Sequence, residues 1–261
     1  MKPIDLRIKE ARRDLYEHGV VRNNLKWQGI KVDHPLYEIF NVYFSMDIPS
    51  TKEELAEQTK ANLPWAEDHF QERVGGLPLN PGNEYKNWPF YRGFENDEKF
   101  RKDGLGEQFS HSYMERFWCK YEEEDEDELD PCKGGIRYGI RYPYGDFNDF
   151  LTKFKNNPYG RQNYFSIWHP EDQSLEDRRL PCTLGYWFNI IEDQICCTYH
   201  IRSCDIFRHF HNDIYMTGRL LQHVHKYLAE IVEGLEVGHM HMWIGSLHCF
   251  EIEKDMLVYN Q

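Results

Sequence analysis

Cys182 follows Pro181 at the entrance to an apolar run, and its thiol is the group in this chain with the clearest chemical potential. As a thiolate it is a strong nucleophile toward an electron-poor ring carbon. A cysteine in such a place is either packing or a nucleophile, and three further strings bear on the choice. Twenty residues after Cys182 comes Ile201-Arg202-Ser203-Cys204-Asp205. A guanidinium and a hydroxyl at a strand end form a seat for a phosphate. A guanidinium close to Cys182 would also raise its thiolate fraction. His211-Asn212-Asp213-Ile214-Tyr215 opens an apolar-striped helix, where Asn212 or Asp213 could act as a cap. Gly245-Ser246-Leu247-His248 sets a histidine beside a strand.

The elements that must position these groups are legible from periodicity. Residues 3–18 carry Ile4, Leu6, Ile8, Ala11 and Leu15 at helical spacing, and residues 20–48 read as extended. Residues 51–73 read as one helix, opened by Ser50 and Thr51 with Glu53 and Glu54 as capping partners. Residues 75–107, rich in Gly, Pro and Asn, read as a long loop. A short helix is expected over 146–156 on Phe147, Phe150, Leu151 and Phe154. Strands follow at Asn163–Trp168, Leu184–Ile191 and Gln194–Ile201, the last two joined by a turn at Glu192-Asp193. A helix over 213–233 has the stripe Ile214, Leu220, Leu221, Val224, Leu228 and Ile231. Met240–Ile244 and His248–Ile252 read as two strands. The mixture points to an α+β fold, a sheet packed against helices.

Composition narrows the function classes. The 261 residues carry a formal charge of −13, with 44 acidic against 31 basic side chains. Such a surface repels nucleic acid polymers and anionic membranes, while a few arginines can still make a pocket for a small anion. Glu122 to Asp130 holds eight carboxylates in nine positions and reads as a solvated insertion near 120–135 of a single domain spanning 1–261. The seven cysteines have irregular spacing and no C-x-x-C pair, which speaks for reduced thiols rather than a disulfide framework or a metal site. Met1 to Asp14 lacks the apolar core of a signal peptide, and no stretch reaches the roughly 18 apolar residues of a membrane span, so a cytoplasmic protein is expected.

Taken in order, these strings resemble the thymidylate synthase and deoxycytidylate hydroxymethylase family. The likeness runs from about Asp146 to Phe250. It includes Asn157-Pro158-Tyr159-Gly160-Arg161-Gln162, similar to the family's Asp-Pro-x-Ser-Arg-Arg loop, and Ser166-Ile167-Trp168 after it. It implies a thymidylate synthase-like fold, with a mixed sheet against helices and one sheet face forming a homodimer interface. Cys182 falls on the nucleophile, Arg202 and Ser203 on phosphate ligands, and Asp205 on the aspartate that orders the pterin and the site. Arg161 falls on an arginine that reaches the other subunit's phosphate, with Gln162 in place of the second one. Arg22 matches the phosphate arginine of the N-terminal loop. His248 matches the histidine near the ribose, and Phe250 replaces a tyrosine there. Tyr113 and Trp118 resemble a Tyr-Gly-x-x-Trp motif without its glycine. For the catalytic glutamate and the folate tryptophan, Trp65-Ala66-Glu67-Asp68-His69-Phe70 and Trp88 are the match; Glu67 is the first choice and Glu72 the alternative.

Asp213 departs from the thymidylate synthases, which place a base-reading asparagine at this distance from the arginine. Uracil offers an N3–H donor and an O4 acceptor, which an amide matches; cytosine offers the reverse, which a protonated carboxyl matches. Asp213 therefore favours cytosine. Asn212-Asp213-Ile214-Tyr215 and Gly245-Ser246-Leu247-His248 both resemble the phage deoxycytidylate hydroxymethylases. The resemblance implies conversion of dCMP to 5-hydroxymethyl-dCMP with 5,10-methylenetetrahydrofolate as co-substrate, in the host cytoplasm if phage-encoded. The competing readings are a C5 methylase of dUMP or dCMP, a CMP-specific hydroxymethylase, and a non-catalytic nucleotide- or RNA-binding homologue.

Overall fold

The computed structural model describes residues 2–23, 26–27, 30–31, 34–89, 109–119, 144–173 and 180–259. The acidic run Glu122 to Asp130, and the insertion assigned to 120–135, lie outside these. The first helix, α1 (Ile4–His18), buries Ile4, Ile8, Ala11 and Leu15, one residue per turn on a single face. Strands β1 (Val20–Arg22) and β4 (Leu36–Asp47) follow, with a two-stranded ribbon, β2 (Lys26–Trp27) and β3 (Ile30–Lys31), between them.

The expected helix over 51–73 is two helices, α2 (Lys52–Thr59) and α3 (Trp65–Val74). Thr51 caps the first through its hydroxyl, which accepts from the Glu54 amide. That helix ends on Lys60 in the left-handed conformation, φ 53°, with its amide donating to the Ala56 carbonyl. Pro64 cannot continue an α-helical ladder and disfavours helical backbone at Leu63, so the chain restarts at Trp65. The loop that follows contains a 3₁₀ turn at Asn83–Asn87.

Helix α4 (Tyr113–Phe117) starts at a reciprocal capping box between Ser112 and Glu115. Helix α5 (Phe147–Asn156) is capped by Asp146 and presents Phe147, Phe150 and Phe154 to Phe117, Phe165 and Phe188. After β5 (Tyr164–Ser166), β6 (Thr183–Ile191) and β7 (Gln194–Asp205) form the expected hairpin, turning at Glu192 with φ 57°. Helix α6 (Phe210–Leu228) buries Ile214, Leu220, Leu221, Val224 and Leu228; Ile231 lies past its end and is exposed.

The last two expected strands are one, β8 (Glu236–Phe250), followed by a short helix α7 (Met256–Tyr259). Gly245-Ser246 has turn chemistry but stays extended, because β8 is paired on both sides, to β4 and to β7. Gly245 is needed there: a Cβ would stand 2.7 Å from the Arg202 carbonyl oxygen. Ile252, assigned to a strand, sits in the 3₁₀ turn Glu251–Glu253 and is exposed.

The main sheet has the order β1-β4-β8-β7-β6-β5 and is antiparallel except for the β7–β8 pair. A parallel neighbour needs a crossover, and α6 supplies it. One sheet face, with Phe44, Met46, Ile195, Cys197, Tyr199, Ile201, Met240, Met242 and Ile244, packs under the helices. The other face carries Tyr43, His241, Trp243, His200, Trp187 and Tyr164, of which Tyr43 and Tyr164 are exposed. Among the described residues no helix is long and apolar enough to cross a membrane.

Candidate active site

The chemistry-bearing residues gather at one end of the sheet, where β6 begins and β7 and β8 end. Cys182 immediately precedes β6 and is half-buried. A bulge between Thr183 and Gly185 offsets the strand from β7 at this point. Arg202 holds the segment in place: its amide donates to the Cys182 carbonyl at 2.9 Å, its Nε to Pro181 at 2.8 Å, and one terminal nitrogen to Leu180 at 3.0 Å. The side chain is exposed, and those two side-chain bonds use two of the five guanidinium N–H groups. Ser203 is half-buried and lies opposite Ser246 on β8.

Behind Cys182 runs a buried polar network that sequence reasoning did not find as a unit. The Tyr113 hydroxyl accepts from the Thr183 amide and hydroxyl, both at 3.4 Å, and the Thr183 hydroxyl also meets Tyr199 at 2.9 Å. The Arg73 guanidinium lies 4.1 Å over the Tyr113 ring. Arg73 is 6% exposed and donates to His69 Nε2 at 2.7 Å. His69 Nε2 therefore accepts, and its Nδ1–H donates to Glu84 in a close contact. Burial, reinforced by the Arg73 charge, holds the His69 pKa well below its ordinary value, so the contact with Glu84 joins a neutral imidazole to a carboxyl group. The signal in the sequence was His69 and Arg73 on the same face of α3 as Trp65 and Phe70, polar groups at core positions.

Asp213 lies in the first turn of α6, and its carboxyl accepts from the Cys204 thiol at 3.4 Å. Burial raises its pKa to about 6, against the opposing influences of Arg73 and the Cys204 contact. The charges of both Cys182 and Asp213 bear on Tyr113 and on Cys204, so the thiol and this carboxyl share these two side chains as neighbours. Neither Asn212 nor Asp213 caps the helix, whose N-cap is His209. Asn212 is buried and exchanges two bonds with Asn62, accepting from its amide at 2.8 Å and donating to its side chain at 2.9 Å.

The other sequence-derived residues divide. Glu67 is committed to a structural pair: it accepts from Arg219 Nε at 2.9 Å and from Tyr215 at 2.8 Å on one oxygen, and from Gln71 at 2.7 Å on the other. Burial works against its charge, but the bonds from Arg219, Gln71 and Tyr215 outweigh it and hold its pKa below the usual range. Glu72, the alternative, lies beside Glu84 at the buried network and is pushed up to about 7 by burial and by Glu84. Asp205 is buried, with one oxygen accepting from the Phe207 and Arg208 amides and the other from the Arg208 guanidinium at 2.9 Å. His248 is buried between Glu38 and Asp205 in register, and neither ring nitrogen makes a well-aligned hydrogen bond among the described residues. Arg22 lies 3.5 Å from Glu38 and over Phe40, on the outer strand β1. Arg161 is exposed on the turn after α5, where its carbonyl accepts from the Trp187 indole at 3.3 Å, five residues along β6 from Cys182. Trp88 is buried, its ring stacked on His209 and tilted against Trp65. Among the described residues no group of three His, Cys, Asp or Glu side chains is arranged to hold a metal ion.

A half-buried cysteine thus stands at a strand bulge with tyrosine hydroxyls behind it and Arg202 bonded to its segment, an arrangement that would suit a nucleophile. The thymidylate synthase family model matches residues 100–259, and the chain belongs to that family. A segment of 104 residues, 39% of the chain, is 29% identical to a thymidylate synthase of Sphingopyxis alaskensis. That match spans 30% of the relative's length.

Proposed function

We propose that this protein transfers a one-carbon unit to C5 of dCMP and releases 5-hydroxymethyl-dCMP, acting as a cytoplasmic homodimer. The observation that carries the choice of base is Asp213, whose carboxyl is raised to about 6 beside the space that Cys182 faces. A carboxyl raised this far can take up a proton as cytosine binds, and in that form it donates to cytosine N3 and accepts from the N4 amino group. Held in that same orientation, the carboxyl would meet uracil N3–H donor to donor, a mismatch costing about 1–3 kcal/mol per contact.

Cys182 adds to C6 of the ring, which makes C5 carbon-nucleophilic. Arg202 anchors the Leu180–Cys182 segment and directs its remaining donors, with the Ser203 hydroxyl, at the phosphate. His248 faces the sugar, and Arg161 completes the phosphate grip of a second subunit. 5,10-Methylenetetrahydrofolate, when bound, supplies a one-carbon unit at the oxidation level of formaldehyde. Trp88 offers an aromatic plane for its pterin. Asp205 fits the pterin role poorly, because its oxygens already serve Phe207 and Arg208. Glu72 rather than Glu67 moves protons at the ring, since Glu67 is neutralised by Arg219.

The test is tritium release from dCMP and from dUMP, each tritiated at C5, with methylenetetrahydrofolate and mass analysis of the products. Release from dCMP with a product heavier by CH₂O supports the proposal. Release mainly from dUMP with a product heavier by CH₂ identifies a thymidylate synthase and removes the base-reading role of Asp213. No release, or unchanged release in Cys182→Ser, overturns the nucleophilic reading.

A further inference from the structure

Glu84 is among the most buried charged residues described, with 2% exposure, and it has no counterpart in the nucleophile, phosphate or base assignments. It sits in the 3₁₀ turn Asn83–Asn87, which packs on α3. Its Oε1 receives the His69 Nδ1–H. Its Oε2 and the Oε2 of Glu72 are both buried, and neither accepts a well-aligned hydrogen bond among the described residues, although backbone amides of the turn lie close to both carboxyls. The two oxygens also converge: a Cβ on Gly82 would collide with both at once. Two neighbouring buried carboxylate oxygens that lack donors repel each other, and one proton between them removes the repulsion and serves both lone pairs.

The charged and titratable groups around the pair are few. His69 and Arg73 face it from α3, with His69 neutral and Arg73 positive. The turn itself brings the Asn83 and Glu84 amides to Glu72, and Tyr85 packs edge-on to His69. From α4, Tyr113 meets His69 edge-on and lies under Arg73. From α6, Asp213 acts on Arg73 and Arg219 is taken by Glu67.

We propose that Glu84 is a positioning residue that shares one proton with Glu72 through their Oε2 atoms, so that the pair carries one charge and Glu72 meets the Cys182 site as a neutral acid. This rests on the proposed role of Glu72 in proton transfer, while the shared proton itself is a property of the ligand-free protein. His69 and Arg73 fix the other Glu84 oxygen, which keeps the shared proton on the side facing Glu72.

The test is an infrared titration of the ligand-free protein that reads the C=O stretch of a buried protonated carboxyl, with Asp213→Asn as background to remove the Asp213 signal. One such band is expected, titrating near pH 7, and its midpoint moves to lower pH in both Glu72→Gln and Glu84→Gln. A midpoint that stays in place in either variant, or no band, overturns the proposal. The second readout is the pH profile of tritium release from dCMP. Glu84→Gln removes the neighbouring charge, so the limb set by Glu72 moves to lower pH by about one unit or more; an unmoved limb overturns the positioning role. Should Glu84→Gln fail to fold, Glu84→Asp shortens the reach to Glu72 and is expected to move the band's midpoint in the same direction. A normal band without tritium release from any nucleotide would sink the functional reading alone.

Discussion

Asp213→Asn replaces a carboxyl that must hold a proton to pair with cytosine by an amide that pairs with uracil. The size of the effect follows from the position of the carboxyl. With a pKa of about 6 in the free protein, about one molecule in eleven carries the neutral form at pH 7, so pairing with cytosine costs about 1.4 kcal/mol, or tenfold in Kd. The sign follows from which form binds. The neutral carboxyl is the competent one, so dCMP affinity is greatest below pH 6 and falls tenfold for each unit above it. The nucleotide phosphate itself titrates at about pH 6, and the variant, which keeps the same phosphate residues, provides the correction. In Asp213→Asn the excess slope disappears. Affinity for dCMP at low pH drops by about 2–4 kcal/mol, because two contacts are mispaired at about 1–2 kcal/mol each, while dUMP binding rises. Calorimetric titration of both nucleotides into both proteins across neutral pH measures all four quantities. Equal slopes in wild type and variant, or a variant that still prefers dCMP, would refute the base-reading argument.

Three other perturbations probe separate parts of the molecule. Arg116→Ala leaves the buried Asp172 carboxylate without its two guanidinium bonds, 3.1 and 2.8 Å; a loss of about 3–5 kcal/mol is expected, seen as a melting temperature lower by roughly 10 °C. Asn212→Ala strands the Asn62 amide and removes the bond to the Arg208 carbonyl, so urea unfolding should show a loss of about 2–3 kcal/mol with the dCMP-to-dUMP preference unchanged, opposite to Asp213→Asn. Glu72→Gln should gain on the wild type as pH rises. Burial lifts the Glu72 pKa from 4.5 to about 7, so the folded state binds the proton more tightly and the wild type loses stability across that window. The neutral, buried His69 opposes this trend in both proteins, and the difference between them isolates Glu72. A difference flat in pH would show that Glu72 ionises freely.

Most of the helical frame and the central hairpin were legible, because α1, α5 and α6 carry strong periodic stripes and the β6–β7 turn is flanked by apolar runs. The Cys182, Arg202 and Asp213 strings were legible as strings, since each lies where an element begins or ends. What local sequence could not show was pairing. Gly245-Ser246 reads as a break unless both neighbours of β8 are known. Glu67 reads as a free helix carboxylate until Arg219, more than 150 residues later, is brought against it. Glu84 reads as a loop residue, yet the turn drives it into a buried contact with His69. Arg22 matches a phosphate ligand by resemblance, and its pairing with Glu38 across β1 and β4 is a contact that local sequence could not show. The split at Pro64 was written in the sequence, where the proline outweighs the helical stripe on either side.

The parallel pairing of β7 with β8 has a consequence for how such a site can diversify. The anion-facing end of β7, the carboxyl on α6 and the histidine on β8 belong to one continuous strand–helix–strand crossover. The thiol arrives separately, at the start of β6, and its polar backing comes from α3 and α4. On the proposed reading, selection of the ligand and attack on it are thus carried by different stretches of chain, joined through the β6–β7 ladder and the Arg202 bonds to Leu180 and Pro181. A change in the first turn of α6 would then retune which base is admitted while the attacking group keeps its position.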